Sequence, residues 1–299
     1  MNINSKHINV ETEMGQCTVM EGSNTTVQLD GPHISKIFSP HGDDKAGFLM
    51  TANKDYVVTT GLGDKSIKFW KMSELIKKES SDPVPCHEWK HLKKVTAITW
   101  VDFKLDGKDF SGILYSDKFG EVRFYNVKHV PTQQEESKED AKDEKIENEE
   151  KENDANLLFG HQHIVDHLEV SIDQKYILTV DADKVKITHF PECVSIHSVT
   201  FHMMKKVTAF GTLSTESNDQ LFYAYSDSEK WLKVWKVTHE STDLVADYKG
   251  DNFIEATKES IANEDKININ KVEASGRITI TYYKEKITKV VVFDIALTV

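Results

Sequence analysis

Three short clusters in this 299-residue chain carry side chains that could do chemistry. His161, His163, Asp166 and His167 sit in the run HQHIVDH, a set of imidazoles and a carboxylate of the kind that holds a divalent metal for hydrolysis. On an extended strand only alternate residues share a face, so the four would not converge without a turn. Cys86, His87 and His91 surround Trp89 with ligand chemistry, but in none of the spacings established for zinc sites. Lys90, His91, Lys93 and Lys94 form KHLKK, a basic patch that could meet phosphate or simply be a solvated loop leading into the strand VTAITW.

Other catalytic signatures are missing from the sequence. Gly61-Leu62-Gly63 lies between two strand-like runs, whereas a nucleotide-binding glycine turn joins a strand to a helix N-terminus. There is neither a G-x-S-x-G elbow nor a P-loop. We therefore expect a binding protein rather than an enzyme, with no cofactor and no metal of its own.

The elements that must position these residues are short strands. YVVTTGL, SIKFWKM, VTAITWVDF, SGILYS, EVRFYNV, KYILTV, KVKITHF, LFYAYS, WLKVWKV, RITITYY and KVVVFDI are β-branched and aromatic runs bounded by turn residues. Only residues 73–79 and 258–263 look locally helical. A closing phrase repeats: GLGDKSIKFW ends at Trp70, SDKFGEVRFY at Tyr125, DADKVKIT at Thr188, SDSEKWLKVW at Trp235 and KEKITKVVVF at Phe293. The spacings are 55, 63, 47 and 58 residues. In each phrase a polar turn precedes a strand with apolar alternate positions, which is what the third strand of a propeller blade needs. One blade takes about 40 to 45 residues. Gly160-His161 falls where a Gly-His dipeptide opens such a repeat. The strand-like runs HINVETE, QCTVMEG and TTVQLD add a sixth blade or complete the last. These repeats predict an all-β WD-repeat β-propeller of six or seven four-stranded blades, spanning 1–299 as a single domain.

Residues 131–156 interrupt the pattern. Thr132 to Asn156 hold eleven acidic residues against four lysines, so this stretch carries -7 of the net charge of -12 and leaves about -5 for the rest. With one isoleucine and no aromatic residue it cannot offset the entropy of ordering, and a disordered acidic insertion between blades is expected. Loop closure costs grow only logarithmically with length, so the fold tolerates it. The three cysteines lie far apart and suggest a reducing compartment, and the N-terminus shows no apolar core of a secretory signal. A soluble protein with no membrane partner is expected, cytosolic or nuclear.

Between residues 114 and 210 the chain resembles a specific family. LYSDKFGEVRFYNV, LLFGHQHIVDHLEV and KYILTVDADKVKITHFPECVSIHSVTFHMMKKVTAF follow one another as do the family phrases A-D-K-x-G-D-V, L-L-G-H-x-S-M-L-x-D and I-x-[ST]-x-D-R-D-E-x-I-[KR]-[IV]-S. That family is the WD-repeat non-catalytic subunit of the eukaryotic tRNA (guanine-N7-)-methyltransferase. The resemblance implies a scaffold that stabilises and orients a separate Rossmann-fold catalytic subunit as a heterodimer. S-adenosylmethionine would then sit in that subunit, tRNA would be engaged through the complex, and the complex would work in the nucleus and also in the cytoplasm. It also implies partner-binding residues in the third phrase, here Asp183, Lys184 and Lys186. Lys186 alternates with Val185 and Ile187, so its ammonium is expected to face outward. Ala182 stands where the family has arginine, the glutamate before the basic residue is missing or shifted, and HIVDHL departs from S-M-L-x-D. A propeller adaptor of another complex, such as a ubiquitin ligase or a chromatin assembly, is the alternative; a metal-dependent hydrolase at HQHIVDH is a third.

Overall fold

A computed structural model describes residues 7–12, 15–23, 26–31, 34–42, 46–77, 83–130, 155–171, 173–182, 184–200, 209–214, 220–226, 231–238, 241–249, 266–271, 277–284 and 287–294. The chain divides into two compact units, Met1–Leu168 and Glu169–Val299.

Twelve strands in residues 7–160 form three antiparallel sheets. The first holds β1 His7–Thr12, β2 Gly15–Ser23, β3 Thr26–Gly31 and β4 Ile34–Phe38 in sequential order. The second holds β5 Phe48–Ala52, β6 Tyr56–Gly61, β7 Ser66–Lys71 and β8 His87–Lys90, and the third β9 Val95–Leu105, β10 Lys108–Asp117, β11 Glu121–Asn126 and β12 Ala155–Gly160. A single turn of helix, α1 Met72–Leu75, follows β7 where residues 73–79 had looked helical.

Three further sheets follow. The fourth holds β13 His167–Val170, β14 Tyr176–Val180, β15 Lys184–His189 and β16 Val194–Thr200, and the fifth β17 Ala209–Ser214, β18 Gln220–Ser226, β19 Trp231–Val237 and β20 Thr242–Lys249. The sixth has three strands among the described residues, β21 Lys266–Lys271, β22 Arg277–Lys284 and β23 Ile287–Asp294. Every closing phrase of the sequence thus falls on the third strand of its sheet: Trp70 on β7, Tyr125 on β11, Thr188 on β15, Trp235 on β19 and Phe293 on β23. The three N-terminal runs form β1 to β3, so the first sheet is complete in itself. The second helical expectation, 258–263, and residues 131–154 of the insertion lie outside the described residues. Ala155 and Asn156, counted with the insertion in the sequence, instead pair with Tyr125 and Phe124 and open β12.

The repeated alternation is explained by burial on both faces of a sheet. In the second sheet Val57 and Trp70 join Val19, Leu29 and Phe38 of the first in one apolar core, with the Phe38 and Trp70 rings 4.9 Å apart. On the opposite face Val58, Ile67 and Phe69 join Ile98, Ile113, Tyr115 and Tyr125 of the third. In the second unit Leu178, Val185 and Ile187 pack with Phe222, Trp231 and Trp235. Each such fully buried side chain contributes about 1.5 to 3 kcal/mol, so a strand with alternate residues on two apolar faces is held from both sides.

Candidate partner-binding site

The residues of the third family phrase lie on β15. Asp181 closes the turn before it: its Oδ1 accepts the Lys184 amide at 2.7 Å, and its own amide donates to the Lys184 carbonyl at 3.0 Å. Asp183 lies outside the described residues. β15 is an inner strand, Lys186 standing opposite Thr179 on β14 and Ser198 on β16, with an irregularity between Ile187 and Thr188. Val185 and Ile187 are fully buried and lock the strand into the core, which leaves Lys184 and Lys186 on the alternate positions.

The expected alternation is present, but the expected exposure is not. Lys186 is half-buried rather than fully solvated. Burial pushes its ammonium below the usual lysine value, Cys193 works against that shift, and Lys184 adds to it. A cation already partly stripped of water loses less on meeting a carboxylate than a solvated one does. Lys184 and Lys186 thus lie at alternate positions of β15, both partly exposed.

Of the other clusters, the one around Trp89 turns inward, whereas His163 and Asp166 of the HQHIVDH run are exposed. Among the described residues no three His, Cys, Asp or Glu side chains gather at metal-ligating distance. The Cys86 thiol donates to the Phe69 carbonyl at 3.3 Å, and His87 lies among Phe69, Trp89 and Tyr125, with its Nε2 3.4 Å from the Tyr125 hydroxyl. His91 is buried, its Nδ1 2.7 Å from the Lys93 carbonyl. Of the basic patch, Lys93 is taken up internally: its Nζ lies 2.8 Å from Glu121 and 3.3 Å from the fully buried Asp117. Arg123 also holds Glu121 at 2.8 Å. The hydrogen bonds of Lys93 and then Arg123 pull the Glu121 carboxyl down to about 2. Lys90 and Lys94 remain exposed.

One constellation escaped the sequence reading. His41 Nδ1 is 3.0 Å from Asp64 Oδ2 and 3.1 Å from Ser66 Oγ, and its Nε2 is 3.0 Å from Thr59 Oγ1, which accepts the Trp70 indole N–H at 3.0 Å. Burial, opposed by hydrogen bonding to Asp64, lowers the His41 pKa. Burial also works against the Asp64 carboxylate, but the Ser66 amide and the His41 and Ser66 side chains hold its pKa below the usual value. With a neutral ring, Nδ1–H donates to the carboxylate and Nε2 accepts from Thr59. The chain of bonds ties the loop before β5 to β6, the β6–β7 turn and the tryptophan that closes the repeat. A Cβ at Gly61 would overlap His41 Nδ1 and the Asp64 carboxyl, so a larger residue there would have to displace these two side chains. A signal was available: His41 precedes Asp64 by 23 residues, and His161 of the Gly-His dipeptide precedes Asp183 by 22.

These features define a β-propeller held together by polar turns, and comparison with a solved structure agrees. The β-propeller domain of Cps50 (Swd1) from Myceliophteria thermophila superimposes with a TM-score of 0.55 at 7% identity, covering 93% of this chain and 82% of that one. The fold is a β-propeller. No family model matches the chain. The family resemblance is matched among curated proteins. The chain is similar to the tRNA (guanine-N(7)-)-methyltransferase non-catalytic subunit wdr4 of Dictyostelium discoideum, 29% identical over 190 residues, or 62% of this chain. It is also similar to the non-catalytic subunit wuho of Drosophila pseudoobscura pseudoobscura, 32% identical over 83 residues, or 27% of this chain. The chain spans 36% and 20% of the length of these two relatives. No helix among the described residues is long and apolar enough to cross a membrane.

Proposed function

We propose that this chain is the non-catalytic scaffold subunit of a tRNA (guanine-N7-)-methyltransferase. In this reading it forms a heterodimer with a separate catalytic subunit and orients it for N7-methylguanosine formation in the tRNA variable loop. S-adenosylmethionine belongs to that subunit and tRNA is engaged through the complex, in the nucleus and also in the cytoplasm. The observation that carries the reading is the 190-residue match to a relative named as such a subunit. The second relative bears the same name, which favours this role over an adaptor in a ubiquitin ligase or chromatin assembly.

The contact is assigned to β15, where Lys184 and the partly desolvated Lys186 would receive a carboxylate of the catalytic subunit, with Asp183, which precedes Lys184 in the sequence, as a further contact residue. Affinity purification of the tagged full chain should recover a methyltransferase, and tRNA from cells lacking the chain should be short of N7-methylguanosine. Recovery of no methyltransferase together with normal tRNA methylation would overturn the role. Within it, Lys186→Glu should weaken the complex by about 2 to 5 kcal/mol, because it sets two carboxylates against each other in a partly dry site. The unfolding temperature should hardly change. Full binding by Lys186→Glu would remove the β15 assignment and leave the role standing.

A further inference from the structure

A cleft of about 540 Å³ opens in the first unit between the first and second sheets, where the end of β1, the β5–β6 turn and α1 come together. Its frame is fastened on each side. Thr12 Oγ1 donates to the Gly15 carbonyl at 2.7 Å across the β1–β2 turn. In the β5–β6 turn the Asn53 side chain accepts the Asp55 amide at 2.9 Å and the Tyr56 amide at 2.7 Å. The Met72 amide donates to the Asp55 carbonyl at 2.8 Å, which ties α1 to that turn. The buried part of the lining is apolar: Met72 and Ile76 are 1% and 8% exposed and belong to the core shared with Val10 and Val19. A recess of this size, built on fixed elements over an apolar floor, has the dimensions of a ligand site.

The rim carries charges of both signs and leaves them open. Glu11, Lys54 and Asp55 are exposed and Lys71 is half-buried. None of these four side chains enters an ion pair or a hydrogen bond among the described residues, whereas Glu74 of α1 and Lys77 just after it neutralise each other at 2.7 Å. Two ammonium groups and two carboxylates around one recess set what can enter. A phosphate drawn to Lys54 and Lys71 would meet Glu11 and Asp55, and a metal ion drawn to the carboxylates would meet the lysines. A ligand with one sign of charge is therefore opposed whichever way it lies, and a ligand carrying both is complementary. At this size, with the thioether of Met72 able to adapt to an incoming apolar side chain, that ligand is a few residues of extended polypeptide.

We infer that this cleft docks a short linear segment of another protein, one in which an apolar side chain stands between a basic and an acidic residue. The apolar side chain settles over Met72 and Ile76, the basic residue reaches Glu11 or Asp55, and the acidic residue reaches Lys54 or Lys71. The cleft opens at the start of β6, whereas the His41–Asp64 pair lies past the end of that strand, so the rim charges are no part of the buried polar network. The assignment does not depend on the proposed scaffold role.

The test selects displayed random dodecapeptides on the immobilised full chain, with counter-selection on the chain carrying both Lys54→Glu and Lys71→Glu. Peptides with an apolar residue flanked by charges of both signs should be enriched. Titrated as a synthetic peptide, the strongest should lose about tenfold in affinity for Lys71→Glu and for Glu11→Lys, with the unfolding temperature of each variant unchanged. Exchanging the peptide's own acidic residue for lysine should restore its binding to Lys71→Glu, which a loss of fold would not permit. Failure to enrich any peptide on the unaltered chain over the double variant would overturn the inference, as would affinities for Lys71→Glu and Glu11→Lys within about twofold of that for the unaltered chain. Enrichment of peptides of one charge sign alone would also overturn it, because it would mark a general ion-exchange surface. Each of these results leaves the scaffold role untouched.

Discussion

His41 shows how much one side chain can organise in a small β-sheet. Its ring bridges a loop carboxylate and a strand hydroxyl, and through that hydroxyl it reaches the Trp70 indole. Replacing it with alanine takes the shared partner from the fully buried Thr59 hydroxyl and from the Asp64 carboxylate, whose side chain is 34% exposed. We expect His41→Ala to lower unfolding free energy by about 1 to 3 kcal/mol in urea titrations, the cost of stranded buried polar groups. A loss below measurement error would show that water replaces the ring at no cost. Nothing in composition points to His41, because its partners are 18 to 25 residues away in the chain and meet only when β6 and β7 pair. Lys93 teaches the converse lesson. In the sequence it belongs to a basic patch, yet the nearest carboxylates in space, Asp117 and Glu121, come from the next hairpin.

At the scale of the element, the alternation rule carried most of the weight. It placed Val185 and Ile187 inward and Lys184 and Lys186 on the other positions of β15, and the burial agrees. The rule gives direction but not depth, and for that reason Lys186 was expected in solvent and is found half-buried. Depth depends on what neighbouring strands lay over the lysine stem. The β10–β11 pair offers a sharper test. Gly112 sits against the backbone of Tyr125 and Asn126, where a Cβ would come within 3.1 Å of the Asn126 Cα and overlap the Tyr125 carbonyl. Backbone on an inner strand has little room to give, so Gly112→Ala should destabilise the protein by about 1 to 3 kcal/mol. The change is read as a lower urea midpoint with an unaltered slope, and a midpoint equal to that of the unaltered chain would show that the hairpin relaxes freely.

For the whole molecule, the buried polar turns make stability depend on acid in two steps. The folded state holds His41 neutral below its ordinary value of 6.5, so the unfolded chain binds that proton first. Stability present above that value is lost as the pH falls toward the lower folded pKa. Glu121 is displaced from 4.5 to about 2, so its contribution is complete above 4.5 and disappears as the pH falls toward 2. Glu121 is partly exposed, and solvent screening reduces its step to about 1 kcal/mol. Urea midpoints measured across this range should fall in both windows. Glu121→Gln should flatten the lower one and His41→Gln the upper, and an unchanged profile in either variant would remove that residue from the account.

The sequence by itself determined the class of fold and the third strand of five sheets, because alternation and turn chemistry act over neighbouring residues and leave a local record. The same locality made the phrases of residues 114–210 recognisable. Only the tertiary structure decided which charged groups are spent inside the fold, how deeply Lys186 is desolvated, and that Glu11, Lys54, Asp55 and Lys71 share the rim of one cleft. Those facts depend on pairings between residues far apart in the chain, where hydrogen-bond geometry and burial are settled by strand register rather than by residue type.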